Sequence, residues 1–274
     1  MRILIPTDFS ELSKVAIQYA IDFGSELELE LILLHVVDTS KSGRARVRSQ
    51  KLEEIIKADA ESEMKRLVAS IKKDTNHAIN ISYELLAGSY IEKEVEDFAK
   101  EYNIDMICIG TKGATGLKKA LYGSNAAKMI ENSSIAVLTV PELAKYQGIH
   151  NVVYSSDLCD LNEEVALIMP FIKLTNSRLQ VLHIDKDDGS FKGDIKPVEE
   201  GLQRNFTYDK IKLTRVKYNT IEDGINGFVD VVKADMVIMF THHTNFLEKV
   251  FMRSTSQKTA FQTKIPLLTF QKEK

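Results

Sequence analysis

The chain has 274 residues, of which 44% are hydrophobic and 27% are charged, and its formal net charge is -3. This profile is typical of a globular protein, and it excludes the strongly basic balance of proteins that bind nucleic acid or anionic membranes. No apolar run approaches the roughly 20 residues of a membrane-spanning helix, and the amino terminus has the pattern of a strand rather than of a signal peptide. We therefore predict a cytoplasmic protein of two domains, with neither nucleic acid nor membrane as a partner.

The sequence contains two cysteines, Cys108 and Cys159. Cys108 lies inside the apolar run 106–109, which predicts a small buried thiol. Neither cysteine belongs to a paired motif, so the sequence favours neither a disulfide nor a zinc or redox site.

The first half of the chain alternates short apolar runs with helical patterns. Apolar residues recur at helical spacing after the first run, for example at Leu12, Val15, Ala16 and Tyr19. The patterns predict strands at 2–5, 29–37, 80–86, 106–109 and 135–140, and helices over 10–23, 52–71, 91–102 and 124–131.

Continuous apolar strands separated by helices indicate a parallel sheet that is covered on both faces. Five such strands make one doubly wound, Rossmann-like α/β domain. In a sheet of this kind, ligands bind beyond the carboxyl ends of the strands, where the strand order reverses.

The pattern then restarts, which indicates an internal duplication. Residues 151–157 parallel residues 2–8, and aligning 105–140 with 235–270 without a gap gives ten identities in 36 positions. We predict two five-stranded parallel α/β domains in tandem, at 1–142 and 150–274. The second copy is shorter between its second and third strands, where the first copy carries a basic, Ser-rich segment at 41–49 that we interpret as a solvated, mobile loop.

The loop after the fourth strand carries the strongest functional signal. Residues 110–124, here named the glycine loop, contain Gly110, Gly113 and, after nine intervening residues, Gly123 followed by Ser124. Glycines let the backbone approach a phosphate closely, and a helix that begins at Gly123 and Ser124 offers unpaired amides and a positive dipole end. We therefore expect an anionic ligand there.

The glycine loop departs from two common nucleotide-binding motifs. It has no closing Gly-Lys-Ser or Gly-Lys-Thr of a Walker A sequence, and it lacks the dinucleotide fingerprint of glycines at positions one, three and six. The sequence therefore disfavours P-loop kinases and NAD-dependent enzymes.

The order of the motifs resembles the universal stress protein family. The chain carries Ile-Pro-Thr-Asp-Phe-Ser at 5–10, Leu-Leu-His-Val-Val-Asp at 33–38, the glycine loop, and Val-Leu-Thr-Val-Pro at 137–141. The resemblance covers essentially the whole first half, and the glycine spacing resembles that of the ATP-binding subgroup. It implies an adenine nucleotide α hydrolase-like fold and a regulatory role in stress survival.

The same resemblance implies the ligand and the residues that hold it. The ligand would be ATP, or AMP or ADP, with Mg²⁺ or Mn²⁺ carried on its phosphates. Base, ribose and phosphate contacts are expected from a set of first-half residues: Pro6, Thr7, Asp8, Val36, Gly110, Gly113, Gly123, Ser124 and Asn125. Asp8 also has a structural interpretation, as a cap on the first helix.

The second copy departs from the family pattern at the glycine positions. In the alignment of the two copies, Phe240, His243 and Arg253 stand in place of Gly110, Gly113 and Gly123. Asp157 and Ser254 match Asp8 and Ser124. The pair His242 and His243 raises the possibility of a metal site, but adjacent loop residues seldom chelate without further ligands. Arg253 is a candidate to hold an anion or to fill the vacant pocket.

Three functions stay open on the sequence alone. The first is an ATP-binding regulatory protein with at most slow hydrolysis, because the loops offer Asp8 and His35 but no evident general base. The second is a catalyst of the wider adenine-nucleotide hydrolase group, and the third is an interaction scaffold that binds no nucleotide. We also expect the last strands, 135–140 and 265–270, to pair within the chain, and a homodimer is open.

Overall fold

The computed structural model describes residues 1–27, 29–39, 46–75, 79–111, 124–185, 194–241 and 265–271, with the backbone alone at 46–53 and 124–125. These residues form two compact units, and the chain passes from the first to the second between Glu142 and Leu143. Each unit is a doubly wound α/β fold with a parallel sheet, as the sequence predicts.

The first unit has five parallel strands in the order β3-β2-β1-β4-β5. The strand order reverses between β1 and β4, so the connections after these strands diverge at the carboxyl edge of the sheet. The elements are β1 (Arg2–Pro6), α1 (Glu11–Leu27), β2 (Glu30–Asp38), α2 (Arg46–Asp74), β3 (Asn80–Gly88), α3 (Ile91–Glu101), β4 (Met106–Thr111), α4 (Ser124–Asn132) and β5 (Ala136–Pro141).

The second unit repeats this topology in the order β10-β9-β6-β7-β8, again with parallel neighbours. Its elements are β6 (Asn151–Ser155), α5 (Leu161–Thr175), β7 (Arg178–Asp185), α6 (Lys196–Phe206), β8 (Ile211–Lys217), α7 (Ile221–Val232), β9 (Met236–Phe240) and β10 (Leu267–Phe270). The pairing expected between the last strands of the two units stays a prediction.

The central strands are buried on both faces, which explains why they appear as continuous apolar runs. In β1 the side chains of Ile3, Leu4 and Ile5 are fully buried, and in β6 Val152 and Val153 are equally buried. Burying a side chain of this size contributes about 1.5 to 3 kcal/mol, so these short strands stabilise each sheet strongly.

The connection between β2 and β3 differs from the sequence-based prediction. Helix α2 begins at Arg46, so the segment 41–49 is helical in its second half, and the prediction of a loop over 46–49 is wrong. Arginine, glutamine and lysine have high helix propensity, which allows the helix to extend beyond its apolar stripe. The shorter second copy is confirmed, since α6 has 11 residues against 29 in α2.

The two cysteines differ in exposure. Cys108 is fully buried, as predicted, and burial raises the pKa of its thiol to about 12. Cys159 is exposed. Within the described part of the chain, no helix is both long enough and apolar enough to cross a lipid bilayer.

Gly110, near the end of β4, lies against the start of helix α1. A methyl group on its Cα would stand 2.1 Å from the carbonyl oxygen of Leu12 and 2.7 Å from the carbonyl carbon. Both atoms belong to the backbone, so neither can turn aside as a flexible side chain would. The close approach of α1 to β4 therefore requires glycine at this position.

We predict that Gly110→Ala lowers the free energy of unfolding by about 1 to 3 kcal/mol, because α1 must move away from β4. Gly201→Ala is the matched control: Gly201 lies in α6 and has no atom within 4 Å of the added methyl group. That variant should be unchanged or more stable by about 0.5 to 1 kcal/mol. Urea unfolding followed by far-UV circular dichroism measures both, and equal stability of the two variants would contradict the packing argument.

Candidate functional site

A cavity of about 330 Å³ lies at the carboxyl edge of the first sheet, at the ends of β1, β2 and β4. This volume falls within the range of about 300 to 1,000 Å³ that is usual for small-molecule sites. The described residues that line the cavity are Pro6, Thr7, Asp8, Ser10, Leu12, Ser13, Leu34, His35, Val36, Ile91, Ile109, Gly110, Ala126 and Met129.

Five of the residues expected from the sequence meet in this cavity: Pro6, Thr7, Asp8, Val36 and Gly110. Ser124 and Asn125 open helix α4, of which only the backbone is described at these two positions. Gly113 and Gly123 lie outside the described residues.

The turn after β1 is closed by its own side chains. The Thr7 hydroxyl accepts a hydrogen bond from the Phe9 amide at 3.1 Å, and the Asp8 carboxylate accepts one from the Ser10 amide at 3.0 Å. Phe9 has a φ of 62°, a left-handed conformation that is uncommon for a bulky residue. The hydrogen bonds on either side therefore hold the backbone in a strained turn that directs Asp8 toward the cavity.

The sequence offered two interpretations of Asp8, a nucleotide contact and a cap on the first helix. It lines the cavity, and its Oδ1 atom accepts the hydrogen bond that caps the turn before α1. Partial burial by itself raises the pKa of Asp8, but hydrogen bonds from Ser10 and Ser13 outweigh burial, and the pKa lies below its ordinary value. Asp8 is thus an anion at neutral pH, and a ligand hydroxyl or amino group can donate to it.

His35 ties the turn to the neighbouring strand. Its Nδ1 atom lies 2.7 Å from the carbonyl oxygen of Thr7, and because a carbonyl only accepts, Nδ1 carries the hydrogen. The Phe9 ring packs on the imidazole with 4.5 Å between ring centroids. His35 therefore fixes the cavity wall formed by Thr7.

Sequence reasoning missed several lining residues. Ser10 precedes α1, Leu12 and Ser13 belong to its first turn, and Ala126 and Met129 come from α4. The last two lie three residues apart on one helix face, and this spacing is a signal that could have placed them together. A second signal was the recurrence of His35 as His183 in the second copy, because the glycines of the glycine loop do not recur there.

The turn after β6 in the second unit repeats the hydrogen bonds described for the turn after β1. The Leu158 amide donates to the Ser156 hydroxyl at 3.0 Å, and the Cys159 amide donates to the Asp157 carboxylate at 2.9 Å. Leu158 has a φ of 69°, and His183 donates from Nδ1 to the Ser156 carbonyl at 3.0 Å. The turn and its histidine are therefore a structural feature of both copies, independent of the glycine loop.

Large side chains occupy the second unit where the first unit has small or apolar ones. Phe240, in the position of Gly110, is buried, and its ring packs edge-on against Tyr154 with 5.7 Å between centroids. Tyr154, in the position of Ile5, donates a hydrogen bond to Glu164, and both side chains are buried. Burial raises the pKa of Tyr154, and the Glu164 carboxylate raises it further, so the phenol keeps its proton.

The end of β7 carries a charged cluster that has no counterpart among the described residues at the end of β2. Asp185 is buried and accepts a hydrogen bond from Arg215, which holds the pKa of Asp185 below its ordinary value. His183 Nε2 lies 3.5 Å from the other carboxylate oxygen of Asp185. Arg215 lies opposite His183 in the register, where the first unit has Leu85 opposite His35.

The sequence also raised the question of ligands in the second unit. Of the residues named there, Asp157 is placed in the turn, whereas His242, His243 and Arg253 lie outside the described residues. Among the residues that the structure describes, no group of three or more His, Cys, Asp or Glu side chains is arranged to hold a metal ion.

The fold and the site define a tandem α/β protein with a cavity at the strand-order reversal of its first sheet. Residues 1–141 match the model of the universal stress protein family, and the chain belongs to that family. The chain is 32% identical over 146 residues to universal stress protein MJ0531 of Methanocaldococcus jannaschii, an alignment that covers 53% of this chain and 84% of that protein.

Several solved structures match nearly the whole chain. The crystal structure of a universal stress protein from Archaeoglobus fulgidus aligns with a TM-score of 0.75 at 20% identity and covers 98% of both chains. A putative universal stress protein from Pseudomonas aeruginosa aligns with a TM-score of 0.61 at 10% identity, covering 98% of this chain and 92% of the other. These matches show that the tandem fold is shared.

We predict that Tyr154→Phe lowers the free energy of unfolding by about 1 to 3 kcal/mol, because the buried Glu164 loses a hydrogen-bond donor. In the double variant Tyr154→Phe with Glu164→Met, both partners are apolar, and much of that loss should be recovered. Chemical unfolding of the single and double variants measures the coupling. A double variant that is less stable than Tyr154→Phe alone would contradict the described pairing of Tyr154 with Glu164.

Proposed function

We propose that the chain is an ATP-binding regulatory protein of the stress response, with the nucleotide, as ATP, ADP or AMP, held by the first unit alone. In this proposal the nucleotide-binding domain spans residues 1–142 and the second domain spans residues 150–274. The observation that carries the proposal is the cavity at the end of β1, β2 and β4, which brings together Pro6, Thr7, Asp8, Val36 and Gly110.

The described part of the cavity suits the base and ribose. Pro6, Leu34, Val36 and Ile109 supply apolar surface for a planar ring, and Asp8 supplies an anionic acceptor. No lysine or arginine stands among the described lining residues, so this region offers no cationic partner for a phosphate. A nucleoside hydroxyl or amino group matches the Asp8 carboxylate better than a phosphate does, because like charges repel.

The phosphates are then assigned to the other end of the cavity, toward α4. Helix α4 begins at Ser124 and has nine residues, and its first amides have no partner within the helix. In the sequence, Gly113 and Gly123 precede this helix at the spacing of the ATP-binding subgroup. A divalent cation, Mg²⁺ or Mn²⁺, would arrive with the phosphates.

The second unit has large side chains at the positions where the first unit forms its cavity. Phe240 places a buried aromatic ring at the position of Gly110, and Tyr154 and Glu164 occupy the adjoining interior. Its retained Asp157 serves the turn, as Asp8 does. A retained aspartate therefore gives no support to a second nucleotide site.

The arrangement supports binding more than catalysis. Asp8 is engaged in the turn, and His35 donates from Nδ1 to the carbonyl oxygen of Thr7. In this proposal both side chains belong to the part of the cavity assigned to the base and ribose, whereas the phosphates are assigned toward α4. A general base must lie within hydrogen-bond reach of the water that it activates. Hydrolysis by this chain should therefore be slow.

We predict that Asp8→Asn weakens ATP binding about ten-fold or more, because a hydrogen bond to a charged group is worth about 1.5 to 3 kcal/mol. The asparagine oxygen can still accept from the Ser10 amide, so the turn is preserved and the loss reports on the ligand contact. Asp157→Asn is the matched control, since it makes the same change in the duplicate turn. Calorimetric titration measures both variants, and an equal effect of the two, or none from Asp8→Asn, would remove Asp8 from the site.

We also predict that multiple-turnover ATP hydrolysis by the purified protein stays far below the rates of about 1 to 10³ per second that are typical of enzymes. Release of inorganic phosphate, followed over hours with Mg²⁺ present, is the measurement. A rate within the enzymatic range would favour a catalyst of the adenine-nucleotide hydrolase group instead.

A further inference from the structure

Strand β8 stands at the end of the strand order of the second unit, with β7 as its neighbour. The Leu179 amide donates to the Lys210 carbonyl, and the register continues from there, so the even-numbered residues of β8 direct their backbone groups toward β7. The odd-numbered residues, Ile211 and Leu213 among them, direct theirs away from the sheet. An edge of this kind is a template for pairing with another strand.

Two side chains of helix α6 reach the outer edge of β8. Gln203 donates from Nε2 to the carbonyl oxygen of Ile211 at 2.7 Å. The Glu199 carboxylate accepts a hydrogen bond from the amide of Leu213, also at 2.7 Å. A donor thus meets the outward carbonyl and an acceptor meets the outward amide, as the peptide groups of a neighbouring strand would.

The spacing of the two side chains matches the spacing of their partners. Glu199 and Gln203 are four residues apart on α6, which is about 6 Å along a helix axis. Ile211 and Leu213 are two residues apart on β8, which is about 6.6 Å along a strand. Leu202 is buried and anchors α6 to the unit beside this pair. One helix face can therefore satisfy alternate outward groups of one strand.

The sequence of β8 favours pairing with itself. The strand contains isoleucine, threonine and valine, which have high β propensity. In an antiparallel pair of two copies of β8 centred on Thr214, Leu213 of one copy lies opposite Arg215 of the other. Lys212 then lies opposite Val216, so no two basic residues oppose each other directly. Leu213 and Arg215 both direct their backbone groups outward, as a hydrogen-bonded pair requires.

We propose that Glu199 and Gln203 form an edge cap, which keeps β8 from pairing with β8 of a second copy of this chain. While the cap is in place, backbone groups that would bond to the second strand are already satisfied. Without the cap, each copy presents the same free edge, and two copies pair about a two-fold axis. The proposal is independent of nucleotide binding, because the cap belongs to the second unit.

Sedimentation equilibrium of the full chain, from about 5 to 500 µM, tests the edge cap. The double variant Glu199→Ala with Gln203→Ala should self-associate about ten-fold more strongly than the unaltered protein, or more. Glu200→Ala with Arg204→Ala is the matched control, because these two residues are exposed and have the same spacing on α6. The control should associate no more than the unaltered protein. Far-UV circular dichroism at the lowest concentration checks that each variant is folded.

Amide hydrogen exchange locates the change on β8. At low concentration the Leu213 amide should exchange about ten-fold faster in the double variant, or more, because its acceptor is gone. The Thr214 amide is directed toward β7 and should keep its protection. At high concentration the paired strand should protect the Leu213 amide again. Unchanged exchange of this amide in the double variant would contradict the proposal.

Two single variants separate the cap from a loss of folding. Gln203→Glu keeps the length of the side chain but sets an acceptor against the Ile211 carbonyl, so it should promote association even if the double truncation unfolds the chain. Glu199→Gln keeps an acceptor for the Leu213 amide and should associate no more than the unaltered protein. The proposal is overturned if Gln203→Glu associates no more than Glu199→Gln, or if the Glu200→Ala with Arg204→Ala control associates as strongly as the double truncation.

Discussion

The self-closed turn after the first strand of each unit is the constraint on which the site depends. In the first unit the side chains of Thr7 and Asp8 accept the amides of Phe9 and Ser10, and His35 anchors the carbonyl of Thr7. These hydrogen bonds hold a left-handed residue at position 9 and orient the start of α1 against β4. The turn forms one wall of the cavity, at the edge of the sheet where the strand order reverses.

The same turn in the second unit shows which residues belong to the framework shared by the two copies. Ser156, Asp157 and His183 repeat the hydrogen bonds of the first copy, so this set is part of the shared architecture. The differences lie beside the turn, where Phe240 replaces Gly110 and a buried tyrosine-glutamate pair adds bulk. A duplicated fold has thus kept its framework while its two edges have become chemically distinct.

Much of the fold was predictable from the sequence because the strands are buried on both faces. Runs such as 106–109 appear directly as strands, and the restart at 151–157 identifies the duplication without any structural information. The family assignment follows from the same motifs, and it is confirmed. The start of α2 at Arg46 was not predictable, because Val47 is the one apolar residue among positions 46–51 and an apolar pattern is therefore missing there. The helical state of these residues depends on propensity instead.

The candidate site was predictable in part of its lining but not in its internal contacts. The motifs identified Pro6, Thr7, Asp8, Val36 and Gly110 as neighbours, and the structure places them around one cavity. The structure shows that Gly110 is needed for the close approach of Leu12 and that Asp8 closes a turn. Both findings depend on distances between segments far apart in the chain or on backbone angles. A sequence pattern carries no such distances.

The central claim is that one edge of this tandem fold binds an adenine nucleotide and the other does not. Isothermal titration calorimetry with ATP and Mg²⁺, on protein freed of carried-over nucleotide, tests it most directly. The account predicts one site per chain, which disappears in Gly123→Arg, a variant that places in the first copy the residue that the second copy has at Arg253. Two equivalent sites per chain, or full binding by Gly123→Arg, would contradict it.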